Sequence, residues 1–365
     1  MILTVISFLL VLSVLVLIHE LGHFLTAKKL GIKVEEFGIG FPPRVFGKKI
    51  GETLYSVNLL PIGGFVKLYG EDNAGGGKIG GGGNVAGDIS RAFFARPLWQ
   101  RMLVVTSGVI MNFILAVVII SSLFATQGVA LPTEKVTISE VAKNSPADKA
   151  GIKKDDQIVK INGANITTPE TFISETQKHK GKQVEITVLR NGESRVVSLI
   201  PRENPPKGEG AMGVSISNIE IKKYTWWEAP FYGTLEAGKF SLLIAQGLGQ
   251  MVMDFATTGT KPEGVAGPIG VAQLTGEAVK VGVAAVLWFA ALLSLNLAVL
   301  NILPIPALDG GRFFFMVIEM ITRKKVSPRY EAIAHGVGLI VLLGLMALIT
   351  ALDVTRLIQG KSILP

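Results

Sequence analysis

The first eighteen residues, MILTVISFLLVLSVLVLI, contain no charged side chain, glycine or proline, and run unbroken into His19-Glu20-Leu21-Gly22-His23. So long an apolar run is stable only where every backbone group is paired internally, which in lipid means a helix. Extended to about Ala27, it is long enough to cross roughly 30 Å of hydrocarbon. On a helix, residues four apart lie on one face, so His19 and His23 can present imidazole nitrogens to one metal ion with Glu20 beside them. A structural metal site does not need that glutamate, whereas a hydrolytic one uses it as a base. The run lacks the basic start and small-x-small cleavage site of a secretory leader, and its removal would destroy the motif, so residues 1–27 read as a first transmembrane helix.

Composition agrees. At 49% hydrophobic, 18% charged and a mean hydropathy of +0.47, the chain is too apolar for an ordinary soluble domain. The net charge of +8 therefore marks cytoplasmic loops and lipid headgroup contact, with no nucleic-acid partner. With no cysteine, disulfides, thiolate ligands and a thiol nucleophile are excluded, and a metal must be held by His, Asp or Glu.

Residues 28–73 alternate in period two between glycines and prolines, which predicts a membrane-associated β-sheet. The glycine-rich stretch 74–87 has no Lys-Ser or Lys-Thr pair at phosphate-loop spacing and reads as a linker. An amphipathic entry, with Trp99 and Arg101 at headgroup level, completes 74–102 and leads into a second span, 103–126. In that span Gly108 and Asn112 share a face, with helix packing and function equally able to explain them. Residues 127–217 are a soluble segment of short strands with one polar helix, Pro169–Lys178. Residues 218–282 read as an interfacial helical segment followed by a GPIG loop, because Glu228, Glu236, Lys239 and Asp254 are costly at bilayer depth.

A third span, 283–311, ends in Asn301-Ile-Leu-Pro304-Ile-Pro306-Ala-Leu-Asp309-Gly310-Gly311, and a fourth occupies 332–353 before a tail, 354–365. Basic residues crowd the first loop and the loop at 312–331, so the positive-inside rule puts both in the cytoplasm. The N- and C-termini and the soluble segment are then outside, and a fifth crossing at 226–258 would break this parity. Asp309 lies at the same membrane depth as the histidines and can be the third ligand of a zinc site that keeps one position open. Broken helix at that depth is tolerated where it lines a watery cavity.

Two resemblances follow from these motifs. The stretch SPADKAGIKKDDQIVKINGANI resembles the core of circularly permuted bacterial PDZ domains, which accept an extended chain as an added strand. HELGH, PIGGFVKLYGE, ARPLWQR, GPIGVAQ and NILPIPALDGG together resemble the intramembrane site-2 metalloproteases of the bacterial RseP/RasP type, over nearly the whole chain. The sequence departs from that pattern in having one PDZ domain and in Val109, where relatives often have proline.

The resemblance implies a polytopic α-helical membrane protein of four transmembrane helices, with a membrane-associated β-sheet and an inserted α/β PDZ domain. It further implies zinc on His19, His23 and Asp309 with Glu20 as catalytic base. Substrate would be held by Asn301 and by the strand Gly63, Gly64, Phe65, Val66 and Lys67. The substrates implied are single-span membrane proteins, such as anti-sigma factors or signal-peptide remnants, already cut once. The location implied is the bacterial cytoplasmic membrane, with the active site toward the cytoplasm. The competing readings are a non-catalytic membrane PDZ scaffold with a structural metal and a metal transporter. The transporter lacks support, since outside the motif only His335 sits near a helix start, where packing accounts for it.

Overall fold

The computed structural model describes residues 2–71, 89–258 and 266–359; the glycine-rich stretch lies outside them. The chain divides into two compact units, one formed by 1–125 with 225–365 and the other by 126–224.

Among the described residues of the first unit, four helices are long and apolar enough to cross a membrane: α1 (Ile2–Lys29), α2 (Leu98–Thr126), α7 (Val283–Ile302) and most of α9 (Pro328–Ile358). The protein is thus multi-pass. α1 closes with Lys28 and Lys29 in its last turn and with Ile32 N–H on the Ala27 carbonyl, 2.9 Å away. β1 (Val34–Ile50) and β2 (Thr53–Leu68) follow it. Both strands are long and bent: Phe37–Ile39 pairs on one side with Tyr55–Val57 and on the other with Gly64–Val66. The 64–68 segment is therefore an outer edge of the sheet.

α5 (Ala229–Thr258) is not among the candidate spans, in keeping with its charges. It does not merely lie free: Ala229 and Ala237 are fully buried, and a Cβ at Gly233 would strike Ser121 of α2. α6 (Pro268–Val281) carries the GPIGVAQ motif and packs on α1, where a Cβ at Gly276 would meet Thr4. Its first turn is capped from α9, since Gly270 N–H donates to Asp353 at 2.8 Å. Two expectations need correcting: the GPIG segment, expected as a loop, is the start of α6, with Gly267 as its N-cap. The segment read as a loop at 312–331 begins as a helix, α8 (Asp309–Thr322), whose apolar side supplies buried Met316. Its Glu319 receives the buried Arg101 of α2 at 2.7 Å.

The second unit runs to Tyr224, past the 217 limit expected from sequence. It comprises β3 (Val129–Val141), α3 (Pro146–Lys149), β4 (Gln157–Ile161), β5 (Ala164–Asn165), α4 (Pro169–Lys178), β6 (Val184–Arg190), β7 (Glu193–Leu199) and β8 (Val214–Lys222). The main path of its sheet is β7-β6-β4-β3-β8, so β8 is an edge strand. α4 starts with a capping box at Thr168 and Thr171 and buries Phe172 in a core with Ile138, Ile158, Ile186 and Met212. A cavity of about 390 Å³ lies between α4 and β8, lined by Phe172, Thr176, Val214 and Ile216. An edge strand beside one helix, with a groove between them, is the PDZ arrangement expected from the sequence.

Burial opposes the charge of Asp156 in this unit, but Arg190, at 2.6 Å, and the Lys153 N–H outweigh it. The carboxyl is held below its ordinary range, and the pair joins the start of β4 to the end of β6.

Candidate metal centre

His19 and His23 occupy one face of α1, as their spacing requires. Asp309 comes from the first turn of α8, immediately after the chain has left α7. The return is tight. A Cβ at Gly310 would lie 2.0 Å from the Leu303 carbonyl oxygen and one at Gly311 2.6 Å from that of Ile305, so both positions exclude any side chain. Ala307, at φ +81°, completes the turn and donates its N–H to His335 Nδ1 at 2.9 Å. His335 thus ties α9 to the ligand-bearing turn, a role beyond the general packing expected of it.

The result is convergence. His19 Nε2 and His23 Nε2 lie 3.2 Å apart, and each approaches the same Asp309 oxygen, at 3.0 and 3.1 Å. A tetrahedral ion with bonds of about 2.05 Å holds its ligand atoms roughly 3.3 Å apart, so the three atoms are spaced for one zinc. Close approach of α2 makes this compact: a Cβ at Gly108 would sit 2.4 Å from His23 Nε2 and 2.8 Å from His19 Nε2. Gly108 thus leaves the room that the two imidazoles occupy.

The neighbours of the imidazoles provide a test of fit. If Nε2 binds metal, Nδ1 must carry the proton and needs an acceptor. His23 Nδ1 has one, the Val104 carbonyl at 2.8 Å. His19 Nδ1 faces Asn112 Nδ2 at 3.4 Å, while Asn112 Oδ1 is buried without a partner among the described residues. Oxygen and nitrogen of an amide are interchanged by a simple flip. Turning the Asn112 amide over gives His19 Nδ1–H its acceptor and the orphaned oxygen its donor, so the residues present fit a metal ion. Asn112 is fully buried and is fixed through its own carbonyl, which accepts from Ser294 of α7 at 2.8 Å.

A cavity of about 440 Å³ adjoins the site, lined by Glu20, His23, Phe65, Val66, Asp309 and Arg312 among others. β2 reaches it by running along α1. Pro61 O accepts from Ser13 at 2.9 Å, and a Cβ at Gly64 would stand 3.7 Å from Glu20. Of the strand residues expected to meet substrate, Phe65 and Val66 line the cavity, and Gly63 and Gly64 lie against α1. Lys67 is engaged elsewhere, 3.3 Å from Glu35, and Asn301 is half-buried on the last turn of α7, outside the cavity lining.

A model of peptidase family M50 matches residues 7–345. The chain belongs to that family. A Clostridium perfringens relative is 37% identical over 346 residues, covering 95% of this chain and 97% of its own. The zinc metalloprotease RasP of Oceanobacillus iheyensis is 31% identical, covering 97% and 99%. The regulator of sigma-W protease RasP of Bacillus subtilis is 30% identical, again covering 97% and 99%. A solved PDZ domain, from an SdrC-like protein of Listeria monocytogenes, matches 24% of this chain and 90% of that one, with 20% identity and a TM-score of 0.21.

As an M50 member the chain is a zinc metalloprotease, which sets aside the scaffold and transporter readings. Sequence reasoning had noted Asn112 and Gly108 only as equally suited to packing. It had missed Glu71 and Arg312, which face each other across the cavity of this M50 site. Glu71 ends the PIGGFVKLYGE motif and Arg312 lies one residue past NILPIPALDGG, and neither stretch reveals that the two would meet.

Proposed function

We propose that this protein cuts peptide bonds within the transmembrane segments of single-span membrane proteins. The observation that carries the reading is the meeting of two span-borne imidazoles and Asp309 beside a cavity that also holds Glu20 and a sheet edge. Bound on His19, His23 and Asp309, zinc supplies a Lewis acid that makes water nucleophilic near neutral pH and polarises a peptide carbonyl. Glu20 accepts the proton from the attacking water and returns it to the leaving amine. Val104 O and Asn112 hold the two rings in the tautomer that leaves Nε2 free for metal. A substrate helix has its carbonyls tied internally, so it unwinds locally before attack. The edge at Gly64–Leu68 then takes the unwound strand by backbone pairing, with Phe65 and Val66 against its side chains.

The substrates in this reading are anti-sigma factors or signal-peptide remnants left by an earlier cut; the name of the Bacillus subtilis relative supports the first. The groove between α4 and β8 accepts an extended chain and so screens what approaches. The distribution of basic residues supports a bacterial inner membrane topology with both termini and the PDZ unit outside and the metal site toward the cytoplasm. The test is Glu20→Gln in purified full-length enzyme with a reporter transmembrane peptide. Zinc content stays near one per chain and cleavage is lost; cleavage near the wild-type rate would refute the role of Glu20.

A further inference from the structure

The turn that delivers Asp309 is held from outside as well as from within. Pro306 has no amide hydrogen, Ile305 N–H donates to Leu303 O at 2.6 Å, and Leu308 N–H donates to Ile305 O at 3.2 Å. Of the amides at 305–308, that of Ala307 alone leaves the turn, for His335 Nδ1 on α9 at 2.9 Å. Ala307 also sits at φ +81°, a left-handed conformation that alanine adopts only where its surroundings impose it. Gly338, one turn beyond His335 on the same face, brings α9 against the turn: a Cβ there would lie 2.5 Å from Pro306 O. Yet α9 is the least buried of the four candidate spans. Packing does not account for an imidazole at this place. Because Nδ1 accepts, Nε2 carries the proton, and it is buried with no partner among the described residues. An apolar side chain would fill the space without that unmet donor. What the histidine adds is the acceptor.

We propose that His335 is a positioning residue of the zinc site: its Nδ1 fixes the Ala307 amide, and that bond holds Asp309, two residues on, within reach of the two histidines. The inference rests on zinc being held by His19, His23 and Asp309, as above. The helical ladder of α7 ends at Ile302 and that of α8 starts at Asp309, with Pro304 and Pro306 between them. The segment that links them therefore takes its orientation from the turn's own bonds and from α9. Removing the acceptor lets Ala307 leave φ +81°, which turns the residues that follow. The Asp309 carboxylate then swings away from the imidazole nitrogens, which lie 3.0 and 3.1 Å from its Oδ2. Zinc binding is thereby coupled to the docking of α9, although α9 supplies no ligand.

The experiment measures zinc affinity by chelator competition for the purified full-length wild type, His335→Leu, His335→Asn and Asp309→Ala. Leucine keeps bulk but offers no acceptor, and it weakens zinc binding about 10- to 100-fold, the usual loss when an outer partner of a metal site is removed. Asparagine places its amide oxygen where Nδ1 was and stays near wild type. A packing role treats the two variants alike, so wild-type affinity in His335→Leu, or an equal loss in both, overturns the proposal. Should His335→Leu fail to fold, Gly338→Ala and Gly344→Ala decide. The first sets a methyl against Pro306 and backs His335 off Ala307, while the second adds a methyl in open space. Weaker zinc binding in Gly338→Ala alone supports the coupling; equal affinities overturn it. Zinc retained in full by Asp309→Ala would instead sink the ligand assignment, which keeps the two failures apart.

Discussion

Two residues on α2 show how little of a metal site need be ligand. Gly108 exists as space for the imidazoles, so Gly108→Val should leave a membrane-inserted chain that no longer retains zinc through purification, measured by elemental analysis. Asn112 matters for its oxygen. Asn112→Leu should lower zinc affinity about 10- to 100-fold in chelator competition, and Asn112→Asp, which keeps an acceptor, should stay near wild type. Equal affinity in the leucine variant would remove Asn112 from the account. The three candidate ligands were legible in the sequence, because HExxH and LDGG suggest their chemistry through spacing and backbone demands. Asn112 was visible but undecided, since an asparagine on a helix face does not reveal which side chain it will meet. Glu71 and Arg312 were not legible at all. Their meaning depends on a contact between positions 241 residues apart, and no local pattern encodes it.

At the scale of elements, the sheet and α8 are secured by ion pairs of different character. Arg101 is buried and Glu319 nearly so, and removing one partner leaves the other charged and unpaired. Glu319→Ala should cost about 3 kcal/mol in denaturant unfolding, and a double replacement of Arg101 and Glu319 by methionine should recover much of it. Glu52, at the β1–β2 turn, is bound by Arg91 at 2.7 Å and by Lys28 at 3.1 Å, which hold its carboxyl down to about 2. A lowered carboxyl stabilises the fold above its ordinary value of 4.5 and loses that contribution as pH falls toward 2. The gap in thermal midpoint between wild type and Glu52→Gln should therefore shrink over that interval; a gap independent of pH would contradict the assignment. Element types came through well from periodicity, including the polar helix at Pro169–Lys178. α8 did not, because the prolines and glycines before it signal a loop, while the helix they introduce is short and carries its apolar side toward the core.

For the molecule as a whole, apolar length and charge distribution carried the architecture: four candidate spans and a separate β-rich unit were readable before any contact was known. The proposed sidedness rests on the basic loops. Because the chain has no cysteine, Lys325→Cys and Glu193→Cys can each be probed alone in intact cells. A membrane-impermeant thiol reagent should label the second and spare the first, and the reverse pattern would overturn the topology. The central claim concerns depth and convergence: residues from the first span and from the turn after the third hold one zinc. Zinc-edge X-ray absorption on the purified full-length protein tests it most directly. The account predicts a first shell of two imidazole nitrogens with oxygen donors at about 2.0–2.2 Å, and loss of the bound metal in Asp309→Ala. A shell without imidazole, or a full complement of zinc in Asp309→Ala, would contradict it.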